Sequence, residues 1–164
     1  MGRKVVRSMD LQTEREIWSR VKGPGGIAAE EALLPERLEA LISEERSLAA
    51  SLRSLTPRLR GPQRGELTRI AARAEGRARA LTTLHYLLSG RRLRLQPPRP
   101  NKPGPLPEEL RELCLRTRRS VRAYEALGRE FSACGEELEG YSAQAAADAR
   151  ALTALLGRQL REPR

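Results

Sequence analysis

Aromatic residues are nearly missing from this 164-residue chain: one tryptophan, three tyrosines and one phenylalanine make up 3% of it. So few rings offer little stacking surface for single-stranded nucleic acid, and any core must be built from aliphatic side chains. Cysteine is scarce as well. Cys114 and Cys134 are the only two, which gives neither a disulfide framework nor metal-ligand spacing. With His85 as the single histidine, no Ser/His/Asp or Cys/His relay can be assembled, so an enzyme is the less favoured reading. No apolar run approaches the roughly 18–20 residues that span a bilayer. The N-terminus, MGRKVVRSMD, lacks the apolar stretch of a secretory signal, and Val6 breaks the myristoylation pattern that Gly2 begins. Gly23-Pro24-Gly25-Gly26 lacks the Lys-Ser/Thr ending of a phosphate loop. These absences suggest a cytoplasmic protein with no membrane partner.

Positive charge is plentiful. The formal net charge is +10, and apart from Lys4, Lys22 and Lys102 it comes from arginine. A basic balance raises the prospect of nucleic-acid contact. Arg91, Arg92, Arg94, Arg99 and Lys102 form one cluster, and Arg116, Arg118, Arg119 and Arg122 another. Either could touch a phosphate backbone without reading sequence. Glutamates are interspersed through the helices, however, which dilutes a continuous patch, and a solvated face is the simpler account.

Two stretches repeat. LPERLEALISEERSLAASLRSL at 34–55 returns 72 positions later as LPEELRELCLRTRRSVRAYEAL at 106–127. Ala78-Arg79-Ala80-Leu81-Thr82-Thr83-Leu84 returns 71 positions later as Ala149-Arg150-Ala151-Leu152-Thr153-Ala154-Leu155. The chain therefore reads as two copies of a helix pair. In the first bundle helix, Leu34, Leu38, Leu41, Leu48, Leu52 and Leu55 follow the alternating four-and-three spacing of a buried seam. Pro35 fits its first turn, with Glu36 where the helix dipole favours an acid. Pro57 and Gly61-Pro62 end it. The second helix runs from about Pro62 to Leu88, with Leu67, Ile70, Ala71, Ala74, Ala78, Leu81, Leu84 with His85, and Leu88 inward and Gly90 as its stop. The third begins at Leu106 and uses Leu110, Leu113, Val121, Tyr124, Leu127 and Phe131. The fourth uses Leu138, Tyr141, Ala145, Ala149, Leu152 and Leu155. A short amphipathic helix is also expected over Asp10–Val21, carrying Trp18.

Between the second and third helices, Pro97, Pro98, Pro100, Pro103 and Pro105 forbid helix. Extended chain covers about 3.1 Å per residue, so some ten residues reach roughly 30 Å, the length of a bundle. The expected layout is an N-terminal arm (1–33), a hairpin (34–89), a crossover (89–105) and a second hairpin (106–161), the bundle as a whole covering 34–164.

This all-α layout, with RAEGRARALTTLHYLLSG in its second helix, resembles the ferritin-like superfamily, most closely the rubrerythrin-type four-helix bundles. The resemblance covers roughly residues 34–160. It implies two iron or manganese ions held by a Glu on the first and third helices and a Glu-x-x-His on the second and fourth, residues three apart sharing one helix face. Carried onto this chain, Glu45 falls on the first-helix seam and Glu75 is the ligand-like residue of the second. Where histidine is expected stands Ala78. In the second copy the matching positions hold Thr117, Ala146 and Ala149, and Asp148 is the only acid near that seam, in a poor register. Of six ligands, two carboxylates remain. Each also has a simpler reading: Glu45 pairing with an arginine of the second helix or snorkelling out at the bundle edge, and Glu75 lying on the solvent side and pairing with Arg79 four residues on. His85 reads as a packed or partly exposed helix residue, and Cys114 as an apolar filler. The reading favoured is a bundle that has lost its di-metal site and acts as a non-catalytic binding or structural protein, with a protein partner or a second copy (a homodimer) as its expected contact. A residual redox protein holding iron or manganese through Glu45 and Glu75, and a basic nucleic-acid-associated helical protein, are the alternatives.

Overall fold

The structure, a computed structural model, describes residues 27–161, with side chains from residue 34. The expected helix at Asp10–Val21 lies outside the described residues. The chain divides into two units, Met1–Leu34 and Pro35–Arg164. The described elements are helical: α1 (Ile27–Leu55), α2 (Gly61–Ser89), α3 (Leu106–Glu130) and α4 (Gly135–Arg161), with single 3-10 turns at Thr56–Arg58 and Ser132–Cys134. Among the described residues no helix is long and apolar enough to cross a membrane.

One boundary differs from the sequence reading. Pro35 does not open its helix; α1 begins at Ile27 and carries Pro35 inside. The residues before it, Ile27-Ala-Ala-Glu-Glu-Ala-Leu-Leu, are mostly strong helix formers, which sets their preference against the hydrogen bond that proline removes. The other boundaries follow local chemistry. Gly90 takes the left-handed conformation (φ 67°) that ends α2, and its N–H donates to Tyr86 O at 2.8 Å, an arrangement that favours glycine. At the α3–α4 corner, a Cβ on Gly135 would come within 3.1 Å of Gly128 O, so glycine lets the two helix ends approach.

Contacts fix the directions. Glu45 meets Arg77 and Glu39 meets His85, so α1 and α2 are antiparallel. Glu44 meets Arg116, and Arg37 meets Glu130, so α1 and α3 are antiparallel. Glu66 with Arg158 and Arg73 with Asp148 set α2 against α4. The Tyr124–Tyr141 ring contact at 5.9 Å joins α3 to α4. Thus α1 and α4 run one way, and α2 and α3 the other.

The segment from α2 to α3 must therefore travel the length of the helices, and it does so beside α1. Arg46 Nη1 donates to Gln96 O (2.9 Å), Ser47 Oγ to Arg99 O (2.8 Å), and the Asn101 N–H to Ser51 Oγ (3.0 Å). Its prolines cannot donate, and side chains of α1 satisfy backbone groups that no ladder supplies. Glu109 Oε1 accepts from the Gly104 N–H (2.7 Å) and from Arg58 Nη1 (2.6 Å), tying the end of the crossover to α3.

The main apolar cluster packs Leu48, Leu52 and Leu55 of α1 with Leu67, Ile70 and Ala74 of α2, Leu110 and Leu113 of α3, and Leu152 and Leu155 of α4. Cys114 joins it as a buried thiol, its pKa pushed up by burial. The α2 seam stops at His85: Leu84 is half-buried and Leu88 exposed.

Candidate functional site

Midway along the helices the apolar seam is interrupted by charge. On α1, Glu45 follows Leu41 and Ile42 and precedes Leu48, all buried, and its own side chain is fully buried. A carboxylate placed there must be partnered. Arg77 of α2 supplies the partner. Its Nη2 and Nε donate to Glu45 Oε2 at 3.0 and 3.3 Å. Its Nη1 donates to Asp148 Oδ2 of α4 at 2.8 Å. Tyr124 of α3 donates its hydroxyl to Glu45 Oε1 at 3.1 Å. Arg73, one turn before Arg77, donates through Nε to Asp148 Oδ1 at 2.7 Å. All four helices contribute, and the two carboxylates balance the two guanidinium groups. Arg77, Glu45, Asp148 and Tyr124 are almost wholly excluded from solvent.

Burial is the largest influence on each of three groups. It pushes the Glu45 carboxyl above its ordinary value of 4.5, outweighing the attraction of Arg77 and the Tyr124 hydrogen bond, and the nearby Asp148 charge acts in the same direction as burial. It opposes the charge on Arg77, but Glu45 and Asp148 more than offset this and hold the guanidinium above its usual range. The Tyr124 hydroxyl is raised by burial and then by Glu45, so Tyr124 stays a neutral donor. The folded protein thus holds the Glu45 proton more tightly than the unfolded chain does. That contribution to stability is fully present below about 4.5 and is lost as pH rises through the higher folded value. Wild type is therefore expected to gain stability relative to Glu45→Gln as pH falls from about 8 to about 5, read from melting curves; a constant or shrinking difference contradicts this.

The remaining sequence candidates lie elsewhere. Glu75 turns away from Glu45 and pairs with Arg79 at 2.7 Å and with Arg53, so the structure does not bring the two glutamates together. Ala78 lines the seam one residue past Arg77. Thr117, at the repeat position of Glu45, is fully buried and donates to Leu113 O at 2.8 Å. His85 is buried, with Nε2 3.0 Å from Glu39 Oε1. Among the described residues no group of three or more His, Cys, Asp or Glu is placed to hold a metal ion.

Sequence reasoning passed over Arg77 and treated Asp148 as out of register. The signal was present. Ile70, Ala74, Arg77 and Leu81 keep the four-and-three spacing, and Arg77 and Asp148 stand 71 positions apart, the offset of the second repeat. Glu44 and Arg116 are likewise 72 positions apart and join through Arg116 Nε at 2.7 Å. No protein-family model, curated protein or solved structure matches the chain.

Proposed function

We propose that this chain is a ferritin-like, rubrerythrin-type bundle in which an arginine-centred ion-pair cluster has taken the place of the di-metal centre, and that it serves as a non-catalytic binding or structural protein. The observation that carries the reading is the Arg77 guanidinium held between Glu45 and Asp148, with all four helices contributing a side chain to the cluster. A guanidinium there supplies the positive charge that carboxylates on facing helices need, without a metal. The donor set does not suit iron or manganese. Both carboxylates are already engaged by guanidinium groups, and no imidazole joins them.

The direction of the four helices and the long crossover support the same descent. So does the pairing of repeat positions. In a bundle related to itself by a two-fold axis, equivalent residues near the axis face each other. Identical copies would set Glu against Glu at 44 and 116, or Arg against Arg at 77 and 148. Divergence to opposite charges turns each repulsion into an attraction, and it fixes the register of the two hairpins.

Metal analysis tests the reading. Protein purified without chelator is expected to carry well under one iron or manganese ion per chain, with a melting temperature unmoved by chelator. Stoichiometric metal, lost in Glu45→Ala, overturns it.

A further inference from the structure

Arginine without an acidic partner is concentrated on one side of the bundle. The acids nearest the arginines of α3 are engaged: Glu112 by Arg119, Glu125 by Arg129 and Glu44 by Arg116. Residues 113–124 of α3 contain no Asp or Glu, and residues 143–161 of α4 contain only Asp148, which is buried and held by Arg73 and Arg77. These stretches lie side by side, since α3 and α4 run antiparallel and Thr153 Oγ1 sits 4.0 Å from Cys114 Sγ. Arg118 stands one turn past Cys114 on α3, and Arg150 about one turn before Thr153 on α4, so the two flank the furrow at one level. Arg111, Arg118 and Arg122, seven and four residues apart, share the outer ridge of α3. All four arginines are exposed, and among the described residues none has an acidic partner. On the other flank of α3, Arg116 holds Asn101, and the neighbouring Arg99 and Lys102 of the crossover are likewise exposed and unpaired among the described residues.

We infer that this face binds the phosphate backbone of a duplex nucleic acid without reading its sequence. The inference rests on the binding role proposed above and names its partner. Arg111 to Arg122 covers about 16 Å of helix, and helix packing sets the α4 row about 8–10 Å away. A duplex carries a phosphate about every 3.4 Å along each strand, denser than the arginines on either row, so each guanidinium finds one. The planar guanidinium fork suits phosphate oxygens, and an arginine with no protein partner gives up only water to make that contact. Ala143, Ala147 and Ala154, exposed around Arg150, let a partner come close. Other anions fit the face less well. The only ring on these two stretches, Tyr124, is buried, which leaves a single strand nothing to stack on. Leu115 and Leu160, the exposed large apolar side chains there, are about two turns apart in level, too few and too separate to seat a helix in a bilayer surface.

Fluorescence anisotropy of a labelled DNA duplex of about 20 base pairs, titrated with the whole protein between about 50 and 200 mM salt, tests it. A Kd of about 1–100 μM is expected at physiological salt, with log K falling against log salt at a slope between about −3.5 and −5.5, or about 0.9 for each of four to six neutralised phosphates. A·T-rich and G·C-rich duplexes should bind within about threefold of each other. The triple variant Arg118→Gln, Arg122→Gln, Arg150→Gln should weaken binding at least about tenfold and make the slope shallower by about 2.7. Arg64→Gln with Arg69→Gln removes exposed, unpaired arginines from α2, which meets α1 and α4, and should change the slope by less than about 0.5. If the triple variant melts early, Arg150→Gln alone decides, with a slope shallower by about 0.9. No saturable binding at about 50 mM salt, equal losses from the two sets of variants, or tighter binding of the matching single strand or of phosphatidylserine vesicles than of the duplex overturns the proposal. Stoichiometric metal would overturn the reading of the buried cluster and leave duplex binding standing, and failure of duplex binding would leave that cluster intact.

Discussion

Replacing Arg77 by methionine is expected to lower the unfolding free energy by about 3–5 kcal/mol, the range for breaking a buried ion pair from one side. The variant keeps most of the side-chain volume and removes the charge. Glu45 is then left with the Tyr124 hydroxyl alone, and Asp148 with Arg73. Two buried carboxylates with one guanidinium between them cannot both stay ionised cheaply. The loss therefore comes from stranded acids more than from a missing contact. The triple variant Glu45→Leu, Arg77→Met, Asp148→Leu removes the whole charged set, and should recover to within about 1–2 kcal/mol of wild type or exceed it. Arg79→Met, on an exposed arginine of the same helix, should cost no more than about 1 kcal/mol. Urea unfolding followed by circular dichroism measures all three, with an unchanged slope confirming that the folded state is the same. Equal effects of Arg77→Met and Arg79→Met would mean that the buried cluster is not what the helices are organised around.

The second large effect belongs to Arg116, which holds the crossover in its furrow. Its Nε donates to Glu44 at 2.7 Å, and its Nη1 to Asn101 Oδ1 at 2.8 Å and to Ser51 Oγ at 3.3 Å. Ser51 Oγ in turn accepts the Asn101 N–H. Arg116→Ala releases the side chain of Asn101 and leaves Glu44 without its partner. A cost of about 1.5–3 kcal/mol is expected, as for a charge-assisted hydrogen bond with little exposure. The effect should be local before it is global. The Asn101 amide should exchange with solvent at least about tenfold faster, and trypsin should cut after Arg94 sooner. Faster exchange spread evenly over α2 and α4, with Asn101 no more affected than they are, would contradict the anchoring role.

The elements that the sequence disclosed and those that it concealed differ in their physics. Seam spacing reports burial, so Leu38, Leu41, Leu48, Leu67, Ile70, Leu110 and Leu152 were readable as core residues, and all are buried. Proline reports the absence of helix, so the crossover and its reach were readable from Pro97 to Pro105. Glycine at a helix end reports a left-handed residue, and Gly90 is one. The start of α1 was obscured because a proline suited to a first turn stands inside a run of good helix formers. Only half of the buried cluster was visible. Glu45 announced itself as an acid within an apolar stripe, and pairing with an arginine of the second helix was one of its readings, beside snorkelling at the bundle edge and metal ligation. Arg77 did not, because in a chain so rich in arginine one more on a helix reads as solvent-facing. Asp148 was hidden by an imperfect register, since Asp148 and Ala149 are both buried where the seam spacing allowed one. A charged residue on a seam becomes legible only when its partner on another helix is known, and that is information about three-dimensional neighbours.

The Arg77 guanidinium joins Glu45 and Asp148, carboxylates of facing helices. Anomalous diffraction from crystals soaked in ferrous or manganous salt tests it most directly. Planar guanidinium density is expected between Glu45 and Asp148, with no anomalous peak within coordination distance of either carboxylate. An anomalous peak bridging Glu45 and Asp148, with Arg77 displaced from between them, would contradict it.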